Sequence, residues 1–137
     1  MTISTKGRYA LRVMIDIAQH PADEYISLKS ISERQEISMK YLEAIVSMLA
    51  KSGFVESHRG KNGGYRLAHP AQDYTVREIL ELTEKNLAPV ACLSCDENTC
   101  PRAGECITLP MWQKLGQMVD GYLESVTLAD LVNREYH

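Results

Sequence analysis

Apolar side chains return at Leu11, Met14, Ile15 and Ala18, the spacing of one helix face, which predicts a first helix from about Lys6 to Gln19 that His20-Pro21 stops. Ser27 is a good N-cap for a short second helix with Leu28, Ile31 and Ile37 turned inward. Ser38 caps a third, in which Tyr41, Leu42, Ile45, Val46 and Leu49 form an apolar stripe and Gly53 stands where a C′ glycine belongs. Residues 27–52 thus read as helix, short turn, helix. The period then changes. Val55 to His58 alternates weakly, Arg59-Gly60-Lys61-Asn62-Gly63-Gly64 is rich in turn formers, and Tyr65-Arg66-Leu67 suits a returning strand. A hairpin directly after a helix-turn-helix is the layout of a winged helix. Val76, Ile79, Leu80 and Thr83 define a fourth helix over 75–84, capped by Thr75. Beyond a polar stretch, Pro110 opens a long helix in which Met111, Trp112, Leu115, Met118, Val119, Tyr122, Leu123 and Val126 line an apolar face wider than one small domain needs. Thr127 restarts a short final helix through Leu131.

The expected fold is therefore mostly α with a small β-wing. A winged helix-turn-helix domain spans 1–85, a cysteine-rich loop 86–107, and a long helix with a short C-terminal helix 108–137. Apolar content of 45% is enough for a core that needs no disulfides. The start of the chain has no apolar signal-peptide segment, and no stretch approaches a membrane span, so the expected compartment is the cytoplasm, with no membrane partner.

Charge sharpens this picture. The net charge of −3 is unevenly spread: residues 1–80 hold 11 basic against 9 acidic residues, and residues 81–137 hold 4 against 9. Only the first part has the sign suited to a polyanion, and its excess is small, so the arrangement of the charges has to carry the argument. In a helix-turn-helix the second helix lies in the major groove of double-stranded DNA, with its N-terminal residues at base edges. Those positions are Ser38, Met39, Lys40, Tyr41, Glu43 and Ala44. Ser38 and the first amides can grip a phosphate, Lys40 can reach phosphate or guanine, and Glu43 can accept from cytosine N4 while repelling phosphate. Arg59 and Lys61, on a thin hairpin with Gly60, Asn62 and Gly63, suit a narrow minor groove. Lys6, Arg8 and Arg12 can add backbone contacts. Each piece has a plainer counterpart. Lys40 and Glu43 fit a solvated helix face, Tyr41 a core position, and Arg59 and Lys61 an ordinary polar turn. The combination is what points to DNA. His20, His58 and His69 read as surface or loop residues, and no P-loop, dinucleotide signature, Ser/His/Asp set or HExxH is present.

Every cysteine lies in ACLSCDENTCPRAGEC, residues 91–106, spaced C-x2-C-x4-C-x5-C. In a reducing compartment, clustered thiols bind metal or do redox chemistry. Four together can close an all-thiolate site for zinc or an iron–sulfur centre, or sense oxidants metal-free through disulfide formation.

The segments ISTKGRYAL and YLEAIVSMLAKSGFVESHRGKNGGYRL, with the cysteine cluster, resemble the family of bacterial winged-helix transcription regulators that includes the iron–sulfur cluster regulator IscR and the nitric-oxide sensor NsrR. The likeness covers essentially the whole chain, and RG-x-x-GGY is among its most specific marks. It implies a homodimer on a palindromic operator, with the long helices (about 109–124) crossing as dimerisation helices through Trp112, Leu115, Met118, Val119, Tyr122 and Leu123. It also implies an iron–sulfur cluster, of the 2Fe–2S type, on Cys92, Cys100 and Cys106. Some relatives complete the site with a His three positions after the third cysteine, or with an acidic residue in the first helix. Here Leu109 and Arg8 stand there, and neither ligates iron. The fourth ligand stays open between Cys95, another side chain and an exogenous group. Zinc-bound or metal-free thiol-switch regulators of the same fold are alternatives. A cysteine-dependent redox or electron-transfer enzyme is an alternative of another class, and it lacks a pocket with convergent acid/base groups.

Overall fold

The computed structural model describes residues 3–84, 87–88 and 107–135. Its elements are α1 (Thr5–Ala18), α2 (Leu28–Gln35), α3 (Met39–Lys51), β1 (Val55–His58), β2 (Gly64–Leu67), a 3-10 turn (Ala71–Asp73), α4 (Val76–Glu81), α5 (Leu109–Ser125) and α6 (Leu128–Asn133). Five helices begin where a side-chain oxygen captures an orphan amide. Ser4 accepts from Gly7 N–H, Ser27 from Ser30, Ser38 from Tyr41, Thr75 from Glu78, and Thr127 from Asp130, whose carboxylate returns to the Thr127 amide.

β1 and β2 pair antiparallel, with Val55 opposite Leu67 and His58 opposite Gly64. The hairpin is anchored to the chain before α2, because Ile26 and Tyr65 exchange both backbone hydrogen bonds at 2.8 Å. Gly64 permits this approach: a Cβ there would lie 2.2 Å from the Ile26 carbonyl oxygen. At the neighbouring Gly63 a Cβ would lie 2.3 Å from that of His58. The paired glycines of the wing are thus required by backbone contact as much as by turn geometry.

α1 is the central strut and packs on α2, α3, α4, α6 and β2. Around it Ala10, Val13, Met14, Ile17, Ile31, Leu42, Ile45, Val46, Leu49, Ile79 and Leu128 are all but fully buried. Burying one such large aliphatic side chain contributes roughly 1.5–3 kcal/mol. Here the expected stripe on α1 needs correction. Leu11, Ile15 and Ala18 are only half-buried, and Ala10, Val13 and Ile17 hold the centre with Met14. A helix covered by five elements buries a wider arc than one stripe. That arc includes a carboxylate, Asp16. Tyr41 is also corrected: it is 37% exposed and not in the core.

α4 is shorter than its periodicity suggests. Thr83 Oγ1 donates to the Leu80 carbonyl (3.1 Å), competing with helix continuation, and Glu84 turns toward Ser4. After α5, Val76 N–H donates to the Val126 carbonyl and Leu128 N–H to that of Tyr74, both at 2.9 Å, so α6 returns to the N-terminal body. A second, smaller cluster of Val76, Leu80, Leu87 and Val126, with Leu123 against it, seats the end of α5. No helix among the described residues is long and apolar enough to cross a membrane.

Candidate nucleic-acid interface

α3 divides into two faces. Leu42, Ile45, Val46 and Leu49 are buried, while Met39, Lys40, Tyr41, Glu43, Ala44 and Ser47 are exposed. Together with the exposed cap residue Ser38, the outward set includes all the residues expected at base edges. Ser38 Oγ is spent on its own helix, accepting from Tyr41 N–H at 3.3 Å, which holds the first turn of α3 in place. Arg59, Gly60, Lys61 and Asn62 are exposed at the wing tip, and Gly63 is half-buried. Asn62 takes a left-handed conformation (φ 66°), and Gly63 N–H closes the turn on the Gly60 carbonyl at 3.0 Å.

The cations among the described residues fall into two groups. Arg34 is paired with Asp16 (2.8 Å), Arg66 with Glu56 (3.0 Å), and Arg77 with Glu81 (3.2 Å) and Glu124. Arg12 has no carboxylate but is committed: its Nε donates to Gln35 Oε1 at 3.1 Å, another nitrogen donates to the Gln35 carbonyl, and its guanidinium lies 5.0 Å over the Tyr9 ring. Lys6, Arg8, Lys29, Lys40, Lys51, Arg59, Lys61, Lys114 and Arg134 form no ion pair among the described residues; of these, Lys40 lies on the outer face of α3 and Arg59 and Lys61 at the wing tip. Arg8 is exposed, and its guanidinium donates to Thr5 Oγ1 (3.2 Å). Arg12 was expected at the DNA backbone with Lys6 and Arg8, and the fold corrects this by binding its guanidinium to Gln35 over the Tyr9 ring.

Behind this surface lies a frame that sequence reasoning missed. Asp16 is 1% exposed, yet it accepts from Arg34 Nε (3.0 Å) and Nη2 (2.8 Å) and from Gln35 Nε2 (2.9 Å), with His20 Nε2 at 3.6 Å. Burial alone would raise its carboxyl, but these hydrogen bonds and the charge of Arg34 hold it below the usual carboxylate range. The same partnership raises Arg34. A lone Asp inside the apolar run VMIDIA was the available signal. At the wing base, Arg66 lies 4.6 Å over the Tyr25 ring, and Tyr25 packs on His58 with centroids 5.0 Å apart.

α5 carries two apolar rows. Trp112, Val119 and Leu123 are half-buried on one; Met111, Leu115, Met118 and Tyr122, at steps of four, three and four, are 40–60% exposed on the other. Arg77 ties the helix to α4, lying also within 3.8 Å of Asp120, and its contact with Glu124 raises its guanidinium pKa. The thiols Cys92, Cys95, Cys100 and Cys106 lie outside the described residues. Leu109 is half-buried at the start of α5.

Known proteins agree with this architecture. Residues 3–134 match the Rrf2 family, described as iron-dependent transcriptional regulators. Protein rrf2 of Nitratidesulfovibrio vulgaris is 40% identical over 134 residues, covering 96% of this chain and 87% of its own length. The transcriptional regulator IscR of Serratia proteamaculans is 36% identical, covering 98% and 81%. Among solved structures, CymR, the global cysteine regulator of B. subtilis, superposes with a TM-score of 0.80 at 36% identity over 98% of both chains. IscR of T. potens gives 0.76 at 36% identity, over 98% and 88%. An oxidised form of Staphylococcus aureus CymR gives 0.74 at 35% identity, over 96% of both chains. With a mostly helical body, a two-stranded wing and relatives matched along nearly their full length, the chain belongs to the Rrf2 family of DNA-binding transcriptional regulators.

Proposed function

We propose that the chain works as a homodimer on a palindromic operator in the bacterial cytoplasm, and that its grip on DNA changes with the state of a centre bound by its thiols. The observation that carries the DNA half is the division of the cations. Lys40 on α3 and Arg59 and Lys61 on the wing stay unneutralised, while Arg34, Arg66 and Arg77 are spent on carboxylates. Unpaired cations are what phosphate contacts require. Ser38, Met39, Lys40, Tyr41 and Glu43 would then face the major groove, and Arg59 to Gly63 the minor groove.

The dimer reading is supported by the outer row of α5. Four large apolar residues at coiled-coil spacing on an exposed helix call for a partner surface, and a second copy supplies the same row. Met118→Glu should shift sedimentation from dimer to monomer; a variant that stays dimeric would place the interface elsewhere.

For the centre, the donor chemistry fits iron and sulfide. Four thiolates are soft ligands of the kind iron–sulfur centres use. Cys92, Cys100 and Cys106 would hold a 2Fe–2S cluster, with Cys95 as the candidate fourth donor. Such a cluster, when bound, is lost or altered by oxidants, nitric oxide or iron scarcity. The thiol-bearing segment joins α4 to α5, the winged helix to the dimer helix. A centre bound there would bear on the separation of two recognition helices that must match half-sites about 34 Å apart per turn.

A second reading keeps the fold and replaces the cluster by zinc or by thiol oxidation. The similar structures that favour it are a regulator of cysteine and an oxidised form of such a regulator. The IscR and CymR relatives are regulators of transcription or cysteine, which leaves the enzyme reading without support. Anaerobic purification with iron, zinc and acid-labile sulfide analysis, followed by operator binding before and after metal removal, separates the readings. Iron and sulfide in equal amounts with a changed affinity are expected. Equal affinity of loaded and stripped protein overturns the sensing role.

A further inference from the structure

Tyr9 and Arg12 stand on α1; Tyr9 has no DNA contact assigned above, and Arg12, expected at the DNA backbone, is committed instead to Gln35. Their contacts nevertheless end on the recognition helix. The Tyr9 ring meets the Tyr41 ring edge-on, with centroids 5.5 Å apart and planes at 82°. Arg12 covers Tyr9 at 5.0 Å and is held to Gln35, the last residue of α2, at its side chain (3.1 Å) and its carbonyl. Gln35 in turn donates to the buried Asp16 at 2.9 Å. One continuous chain of contacts therefore runs from a carboxylate in the core, through the turn of the helix-turn-helix, to an exposed aromatic on α3.

We infer that Tyr9, steadied by Arg12, is a positioning residue that fixes Tyr41 for sequence reading. The inference rests on the reading that α3 faces base edges. Edge-to-face contact is a favourable aromatic geometry, so the Tyr9 ring selects one orientation of Tyr41 among those its two side-chain torsions allow. The Tyr41 hydroxyl has no hydrogen-bond partner among the described residues, and the side chain is 37% exposed, so it is available to DNA. A ring already held loses less rotamer freedom on binding. More importantly, it does not swing to accommodate a wrong base, so the brace acts on discrimination. Non-specific affinity comes from phosphates, which the brace does not touch. Arg12, bound to Gln35 and Tyr9, serves the brace in place of a phosphate.

The test uses the full-length protein as isolated without oxygen. The probes are an operator duplex selected by the wild type from random-sequence DNA and a scrambled duplex of the same composition. The readout is the ratio of the two affinities. Tyr9→Phe, which keeps the ring, retains the wild-type ratio. Tyr9→Leu lowers it about 3- to 10-fold, as expected for one aromatic contact, with the scrambled-duplex affinity and salt dependence unchanged. Tyr9→Leu combined with Tyr41→Leu loses no more than Tyr41→Leu alone. If Tyr41→Leu lowers the ratio and Tyr9→Leu does not, the inference is overturned while the reading of α3 stands. If Tyr41→Leu itself keeps the ratio, the reading at Tyr41 and the inference fail together. Equal losses on both duplexes mean general loosening of the fold and also overturn it. Should Tyr9→Leu not fold, Arg12→Met carries the test: a lowered ratio supports the brace, an unchanged one removes it.

Discussion

Ser4 and Glu84, 80 positions apart, hold each other across the N-terminus of α1: Ser4 Oγ donates to Glu84 Oε2 at 2.8 Å, and the Ser4 amide donates to the other carboxylate oxygen. The same Ser4 oxygen accepts from Gly7 N–H at 2.9 Å, so one side chain caps the helix and binds the carboxylate. A negative charge is favourable at that end of a helix. Glu84→Ala is expected to lower stability by about 1–2 kcal/mol, the range for a charge-assisted hydrogen bond with its dipole contribution. Gly7→Ala should also destabilise although alanine is the better helix former, because its Cβ would lie 2.9 Å from Thr83 Oγ1 and 3.0 Å from Glu84 Oε1. Urea denaturation reads both, and a wild-type midpoint for Glu84→Ala would show that the interaction contributes nothing.

Asp16 supplies an acid-sensitive lock between α1 and α2. Its folded pKa lies below the unfolded value of 3.8, so its contribution is fully present above that value and is lost as pH falls through the folded one. Asp16→Asn should cost about 2–3 kcal/mol at neutral pH, because Arg34 and Gln35 lose a charged acceptor, and should flatten the fall in stability below about pH 4. Stability curves measured from pH 2 to 7 check both; parallel curves for variant and wild type would remove this role.

The wing cations should act through phosphate. Arg59→Gln or Lys61→Gln is expected to weaken operator and scrambled DNA alike and to reduce the slope of log K against log salt by about 0.9 for each phosphate no longer neutralised. Arg66→Gln, which removes a cation already paired with Glu56, should leave the slope nearly unchanged. An equal effect of all three would mean that ion pairing in the free protein does not predict which cations meet DNA.

Gly64→Ala forces a Cβ to within 2.2 Å of the Ile26 carbonyl and should break the Ile26–Tyr65 pairing that anchors the wing. A drop of about 2 kcal/mol or more is expected, on the order of other backbone-strain substitutions. Operator affinity should fall with it, and thermal unfolding with a binding titration tests the pair of effects.

Much of the fold was legible because its signals are local. Ser27, Ser38 and Thr75 cap the helices they were expected to cap, the last helix restarts at Thr127 as expected, and β1 and the hairpin tip lie where the change of period put them. The candidate DNA-facing residues of α3 were legible for the same reason. Once Leu42, Ile45, Val46 and Leu49 point inward, the 3.6-residue period places Lys40 and Glu43 outward. The phase of α1 was not legible, because a helix wrapped on several sides buries residues that one stripe does not predict. Tyr41 was ambiguous, since an amphipathic ring fits either side of a boundary.

The order of the chain by itself determined which segments are helix or hairpin, where each begins, and that four thiols fall together between α4 and α5. Those properties depend on neighbours within a turn or two. Only the tertiary structure decided which cations are spent. Arg12, Arg34 and Arg66 look no different from Arg8 and Arg59 as letters. They are set apart by Gln35, Asp16 and Glu56, partners 23, 18 and 10 positions away that folding alone brings within hydrogen-bond reach.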